Sequence, residues 1–183
     1  MMALLHSKMV PLGTKAIDFK LLGTDDKNYS LDSFKDKKIP VIIFMCNHCP
    51  YVKAVLDRII AIQNDYADKG VQLIGINPND STNYPEDSFK NMKKIVKEKN
   101  IPFPYLMDET QKTARKYDAV CTPDIYVYGE ERTLLYRGRI DDNWQDESKI
   151  TQRDLRAALD AILQGNPVPE NQIPSMGCSI KWK

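Results

Sequence analysis

One stretch limits the folds open to this chain. Ile39-Pro40-Val41-Ile42-Ile43-Phe44-Met45 is apolar on both faces and rich in β-branched residues, which fits a central strand covered on both sides rather than a surface strand. Cys46-Asn47-His48-Cys49-Pro50 ends it, and a helical pattern follows at once, with Val52, Val55, Leu56, Ile59, Ile60 and Tyr66 recurring at three- and four-residue steps. Gly70 closes that helix, and Val71-Gln72-Leu73-Ile74-Gly75-Ile76 reads as a second strand.

Around this unit the remaining elements fall into order. Apolar stretches at 17–22 and 29–31 flank the turn formers Gly23-Thr24-Asp25-Asp26-Lys27-Asn28, which predicts a small N-terminal hairpin. A second helix over about 86–99 buries Phe89, Met92, Ile95 and Val96; a short strand near 104–107 and a short helix near 111–117 follow. Segments 124–128 and 133–137 form a second hairpin around Gly129-Glu130-Glu131-Arg132. Thr151 reads as the N-cap of a last helix, with Asp154 at the capping-carboxylate position and Gly165 at its end. Pro167, Pro169 and Pro174 predict a tail running extended along the surface. The expectation is an α/β fold with a central mixed sheet flanked by helices and an added N-terminal hairpin. It forms one domain over 1–165, with its core at about 13–165 and a tail at 166–183.

Composition removes several function classes. At 183 residues, with 42% hydrophobic and 28% charged, the chain can build a core. Its 26 Lys+Arg against 25 Asp+Glu argue against a nucleic-acid binder working through a large positive field. Lys90, Lys93, Lys94, Lys97 and Lys99 alternate with apolar residues and read as a solvated helix face. No apolar run reaches bilayer length, and Met1-Met2-Ala3-Leu4-Leu5-His6-Ser7-Lys8 is too short in apolar residues for a secretory signal, so a cytoplasmic protein with no membrane partner is expected. Four cysteines are too few for a disulfide-built scaffold.

The spacing of two of those cysteines points to chemistry. Cys46 and Cys49, separated by two residues at the start of a helix, can open and close a disulfide without large backbone strain. The strand delivers Cys46 to a helix N-terminus, where unpaired N–H groups and the dipole favour a thiolate. His48 can add positive charge or a hydrogen bond, and Pro50 falls in the first helical turn, where a missing N–H costs little. A structural zinc site completed by Cys121 and Cys178 or His48 is the competing reading, but no second C-x-x-C supports it. Cys121 reads as a small buried residue with redox chemistry as the lesser alternative, and Cys178 equally as a resolving thiol or a packed tail residue. Asp141, Asp142 and Trp144 read as a surface loop with one anchoring aromatic.

The C-x-x-C after a buried strand, the order of elements and Thr122-Pro123 before a strand resemble the thioredoxin-like superfamily. The N-terminal hairpin and the 84–107 region look like its redoxin branch, which contains alkyl hydroperoxide reductase–thiol-specific antioxidant proteins. That resemblance implies a thiol–disulfide oxidoreductase with no metal or organic cofactor, acting on protein or small-molecule disulfides and thiols and served by an unidentified electron donor. It makes Cys46 the exposed nucleophile, Cys49 the less exposed resolving thiol and Pro123 a cis-proline facing the pair. Thr122 is left to pair with an extended substrate, with Asn47 of the motif as a second substrate-binding residue. Met45 stands where thioredoxins carry Trp, and Pro40 where thioredoxin has its buried acid. Two alternatives remain. One is a peroxiredoxin-like thiol peroxidase using Cys49, for which Cys49-Pro50 fits half the pattern while Cys46 and Thr122 stand where Thr and Arg are expected. The other is a non-catalytic redox-sensing binding module.

Overall fold

The computed structural model describes residues 4–183. Met1, Met2 and Ala3, the head of the segment read as too short for a secretory signal, lie outside the described residues. Strand β1 spans Leu4–His6, and the expected N-terminal hairpin is β2 (Leu21–Gly23) with β3 (Asn28–Tyr29), Leu21 opposite Tyr29. The apolar run is β4 (Ile39–Phe44), whose Val41 to Phe44 are wholly excluded from solvent. Cys49 caps α1 (Pro50–Tyr66), with Pro50 at the first helical position. The α-helix gives way to a 3-10 turn over Ala67–Lys69, and Gly70, with φ of 87°, makes the left-handed exit into β5 (Val71–Asn77).

Helix α2 (Phe89–Lys99) begins three residues later than its periodicity suggests, because Pro85–Asp87 form a separate 3-10 turn that points the Asp87 side chain into the protein. Then come β6 (Tyr105–Met107), α3 (Lys112–Lys116), β7 (Cys121–Thr122) and the second hairpin, β8 (Asp124–Tyr128) with β9 (Leu134–Arg137). The last helix, α4, is Asp154–Leu163. Thr151 does not cap it: its hydroxyl and N–H both go to the Asp142 carboxylate, and Asp154 instead takes the Arg139 guanidinium at 2.9 Å. Asp142 offers a charged acceptor within reach, and a charge-assisted bond outcompetes a cap. No helix among the described residues is long and apolar enough to cross a membrane.

Among the described residues the strands form two sheets. The larger runs β3-β2-β6-β5-β4-β8-β9, with β4–β5 and β5–β6 parallel and the other pairs antiparallel. It is the expected central mixed sheet flanked by helices. Alternation along β4 splits the core in two. Val41 and Ile43 pack with Val55 and Ile59 of α1, Met92 of α2 and Leu155 and Leu159 of α4, while Ile42 and Phe44 pack with Ala114 of α3, Tyr117 and Tyr126.

The tail departs from expectation. Its proline-bearing part, 167–174, makes no strand, but Met176–Ser179 form β10, the middle of the second sheet, β1-β10-β7. Beyond Pro174 every residue again carries an N–H, so a ladder can form, and Cys178 ends 3% exposed. The loop after β9 is likewise fixed rather than loosely anchored. Arg58 of α1 meets Asp141 at 2.5 Å and donates to the Asn143 and Trp144 carbonyls, which sets the Trp144 ring 4.2 Å from that of Tyr51.

Candidate active site

Cys46 lies at the carboxyl end of β4 and Cys49 at the mouth of α1, the edge where open α/β sheets place their sites. The loop between them is held by Asp87, which is fully buried. One carboxylate oxygen accepts from the Asn47 N–H at 2.7 Å and the His48 N–H at 3.2 Å. The other meets His48 Nδ1 at 2.5 Å and accepts from Asn79 Nδ2 at 2.8 Å. Burial opposes the charge of Asp87, but His48, Asn79 and the Asn47 N–H outweigh it and hold the carboxyl below its usual range. The Asp87 hydrogen bond in turn holds His48 above its ordinary value, against the cost of burial. The imidazole stacks on Tyr84 with ring centres 5.3 Å apart, and its buried Nε2 has no hydrogen-bond partner among the described residues. Tyr105 donates to Asn47 Oδ1 at 3.0 Å, and Asn47 Nδ2 donates to the Glu86 carbonyl at 2.8 Å, so Asn47 is spent on the protein itself.

The sulfur atoms are where the structure corrects the sequence reading. Cys46 is not exposed: it is 1% accessible and Cys49 0%. The surroundings of Cys46 also oppose its ionisation. Its hydrogen bond to Cys49, burial and the Asp87 charge push the Cys46 thiol well up, with only the Thr122 hydroxyl, 3.5 Å away, acting the other way. Cys49 is brought down to about 5, first by the Cys46 thiol and then, against burial, by the side chain and N–H of Cys178 and the Val52 N–H, which is turned toward the sulfur without closing a capping bond. When protonated, Cys49 donates to the Thr122 carbonyl at 3.2 Å. Several donors converge on the Cys49 sulfur and only that one acceptor faces it, so the thiolate is the favoured form.

The Thr122–Pro123 peptide is cis. The Thr122 backbone is not open to an extended substrate, however: Cys178 of β10 pairs opposite it. Gly177 permits that approach, since a Cβ there would run into the Thr122 carbonyl and come within 3.2 Å of the Pro123 ring. Gly177→Ala should therefore push β10 off β7 and speed modification of Cys49 by a small alkylating reagent by about tenfold or more, because local opening by 1.4 kcal/mol is a factor of ten. Alkylation at an unchanged rate would show that β10 does not shield the sulfur. On the other side of Pro123 lies an apolar cleft of roughly 200 Å³, lined among others by Tyr51, Val55, Trp144 and Met176.

The Cys121 sulfur faces the Pro123 carbonyl at 3.8 Å, and burial pushes its thiol far up. A ligand atom each of Cys46, His48 and Asp87 lies within 4.8 Å of the others, the geometry of a candidate cation site. Both Asp87 oxygens are already occupied by donors, and the grouping reads as a clamp on the motif loop. Sequence reasoning missed Asp87, Tyr105, Tyr84 and Asn79. The available signal was the polar run Asn77-Pro78-Asn79-Asp80 directly after a buried strand, at the sheet edge where sites collect.

The model of the AhpC/TSA family matches residues 12–137, most of the chain and all of the motif. The chain belongs to the AhpC/TSA family. The AhpC/TSA family is one of thioredoxin-like redoxins, and redox enzyme activity in general is what membership conveys. Two solved structures are close along their whole length. An uncharacterized conserved protein from Geobacillus kaustophilus is 48% identical, covering 100% of this chain and 98% of that one, with a TM-score of 0.95. A hypothetical protein from Sinorhizobium meliloti 1021 is 39% identical over 97% of this chain and 98% of its own, with a TM-score of 0.93. A thiol:disulfide interchange protein of the thioredoxin family from Chlorobium tepidum TLS shares the fold at 19% identity, covering 82% of this chain and 97% of that one, with a TM-score of 0.65. No curated protein matches the chain.

Proposed function

We propose that this AhpC/TSA chain is a thiol–disulfide oxidoreductase whose Cys46–Cys49 disulfide is passed to the thiols of protein or small-molecule substrates. The observation that carries the reading is the placement of the Cys46–Cys49 pair between the end of β4 and the mouth of α1, facing the cis Thr122–Pro123 peptide, in surroundings that push the Cys49 thiol down. A thiolate stabilised in the reduced form makes the couple more oxidising, and the sulfur of lower pKa leaves faster. A substrate thiolate attacks the Cys46 sulfur, the Cys46–Cys49 bond breaks, and Cys49 departs as the stabilised thiolate. A second substrate thiolate then attacks the substrate sulfur of the mixed disulfide, releasing oxidised substrate and Cys46, which takes up a proton. An external disulfide restores the Cys46–Cys49 bond. Run in reverse, with electrons from a thiol donor, the same pair reduces disulfides. The Asp87 hydrogen bond favours the protonated form of His48, which would lend positive charge near the leaving sulfur. The apolar cleft beside Pro123 suits the flank of a peptide substrate.

The test is single-turnover transfer from the oxidised protein to a reduced dithiol peptide. Wild type should yield one peptide disulfide per protein, Cys121→Ser the same, and Cys49→Ser none. Transfer by Cys49→Ser at the wild-type rate would overturn the reading. The ionised Cys49 also favours one second reading, a thiol peroxidase at the Cys49-Pro50 position, whose distinguishing result is Cys49-dependent consumption of hydroperoxide faster than disulfide transfer.

A further inference from the structure

We propose that Cys178 is a third redox thiol of this site, exchanging with the Cys46–Cys49 disulfide to form a Cys49–Cys178 disulfide, so that β10 is a substrate strand built into the chain. The proposal rests on the exchange chemistry of the preceding section. An extended disulfide substrate adds as a strand to an open backbone edge and presents its sulfur to the reactive pair. Strand β10 does this from within: it runs antiparallel to β7 with Cys178 opposite Thr122, the residue whose carbonyl lies 3.2 Å from the Cys49 sulfur. The side chain and the N–H of Cys178 are both near enough to Cys49 to help hold its thiol down.

The thiol is placed by register rather than by a wandering tail. Upstream, Ser7 N–H donates to the Ser175 carbonyl at 2.9 Å, and Leu4 pairs opposite Cys178. Downstream, Ile180 N–H donates to the Val120 carbonyl at 3.0 Å and Lys181 N–H to Asn79 Oδ1 at 2.9 Å. Asn79 also donates to Asp87, so the segment after β10 and the clamp on the C-x-x-C loop share a residue. The side chain that β10 must lack to come this close is missing, at Gly177. Cys121 neighbours the same backbone but turns its sulfur to the Pro123 carbonyl instead.

The step balances without a further reactant. The Cys178 sulfur gives up its proton and bonds to Cys49; the Cys46–Cys49 bond breaks; Cys46 leaves with the electron pair and takes the proton. Cys178 is oxidised, Cys46 is reduced, and one disulfide replaces another. The first disulfide comes from a substrate disulfide such as oxidised glutathione.

The experiment treats Cys46→Ser with oxidised glutathione, alkylates the remaining thiols and maps the cross-links by peptide mass. The expected product is a Cys49–Cys178 cross-link, with glutathione retained on Cys49 only when Cys178→Ser is added. Glutathione held on Cys49 in the single variant, with Cys178 alkylated, overturns the proposal. If Cys46→Ser does not fold, mapping of oxidised wild type decides: a Cys49–Cys178 cross-link beside Cys46–Cys49, lost in Cys178→Ser, is required, and its absence overturns the proposal. A wild type that makes no Cys46–Cys49 cross-link at any glutathione ratio is a different result, which counts against the exchange reading itself.

Discussion

Acidification of the reduced protein should bleach a thiolate absorbance near 240 nm with a midpoint at about pH 5, and Cys49→Ser should remove that transition. The size of the effect follows from the shift. An ordinary cysteine at 9.0 is roughly 1% ionised at pH 7 and one at about 5 is roughly 99% ionised, a change of about 100-fold. Two tenfold steps at about 30 mV each raise the potential of the couple by ~60 mV. The same shift sets a stability window for the reduced protein. A lowered thiol pKa contributes stability that is complete above the unfolded value of 9.0 and is lost as pH falls through about 5. At pH 7, between those two values, the ionised thiol favours the folded reduced chain. Cys46 adds nothing there, because a thiol pushed well above 9.0 is protonated in both states.

Asp87→Ala should be the most damaging substitution of a residue outside the motif. It strands the Asn47 N–H, the His48 N–H, His48 Nδ1 and Asn79 Nδ2, in a position with no solvent access. Each buried donor left unsatisfied costs about 1–3 kcal/mol, and removing one partner of a buried charged pair about 3–5 kcal/mol, so a loss of at least ~3 kcal/mol in urea unfolding is expected. Asp87→Asn separates shape from charge. It keeps an oxygen for the two N–H groups and removes the negative charge that raises Cys46 and His48. Its Cys46 thiol should therefore ionise at lower pH than in wild type, and its His48 imidazole should titrate lower by NMR. A Cys46 titration unmoved by Asp87→Asn would show that the carboxylate has no part in placing the charge.

The two halves of the site differ in how far the sequence discloses them. The frame is local: a strand apolar on both faces, a helix period and a proline at the first turn fix where Cys46 and Cys49 sit, because each signal lies within a few residues of the motif. The charge on the pair is decided by residues from elsewhere. Asp87 is hidden in a stretch that reads as the start of an amphipathic helix, and only the extra 3-10 turn at Pro85–Asp87 reveals that its side chain points inward. Strand β10 has no hydrophobic alternation to mark it; Met176-Gly177-Cys178-Ser179 becomes a strand through partners more than fifty residues away at Thr122 and at Leu4. Its arrival removes the open edge at Thr122 that the family resemblance implies and supplies two of the groups that lower Cys49. Thr151 fails as a cap for the same reason, since Asp142 reaches it only once the loop after β9 is folded.

Equilibration of the protein in graded glutathione buffers at pH 7, read out as the fraction carrying the Cys46–Cys49 disulfide, tests most directly whether the reduced pair holds a stabilised thiolate. A potential above the ~−270 mV of thioredoxin, toward the values of disulfide-donating enzymes, is expected. A potential at or below that of thioredoxin would contradict it.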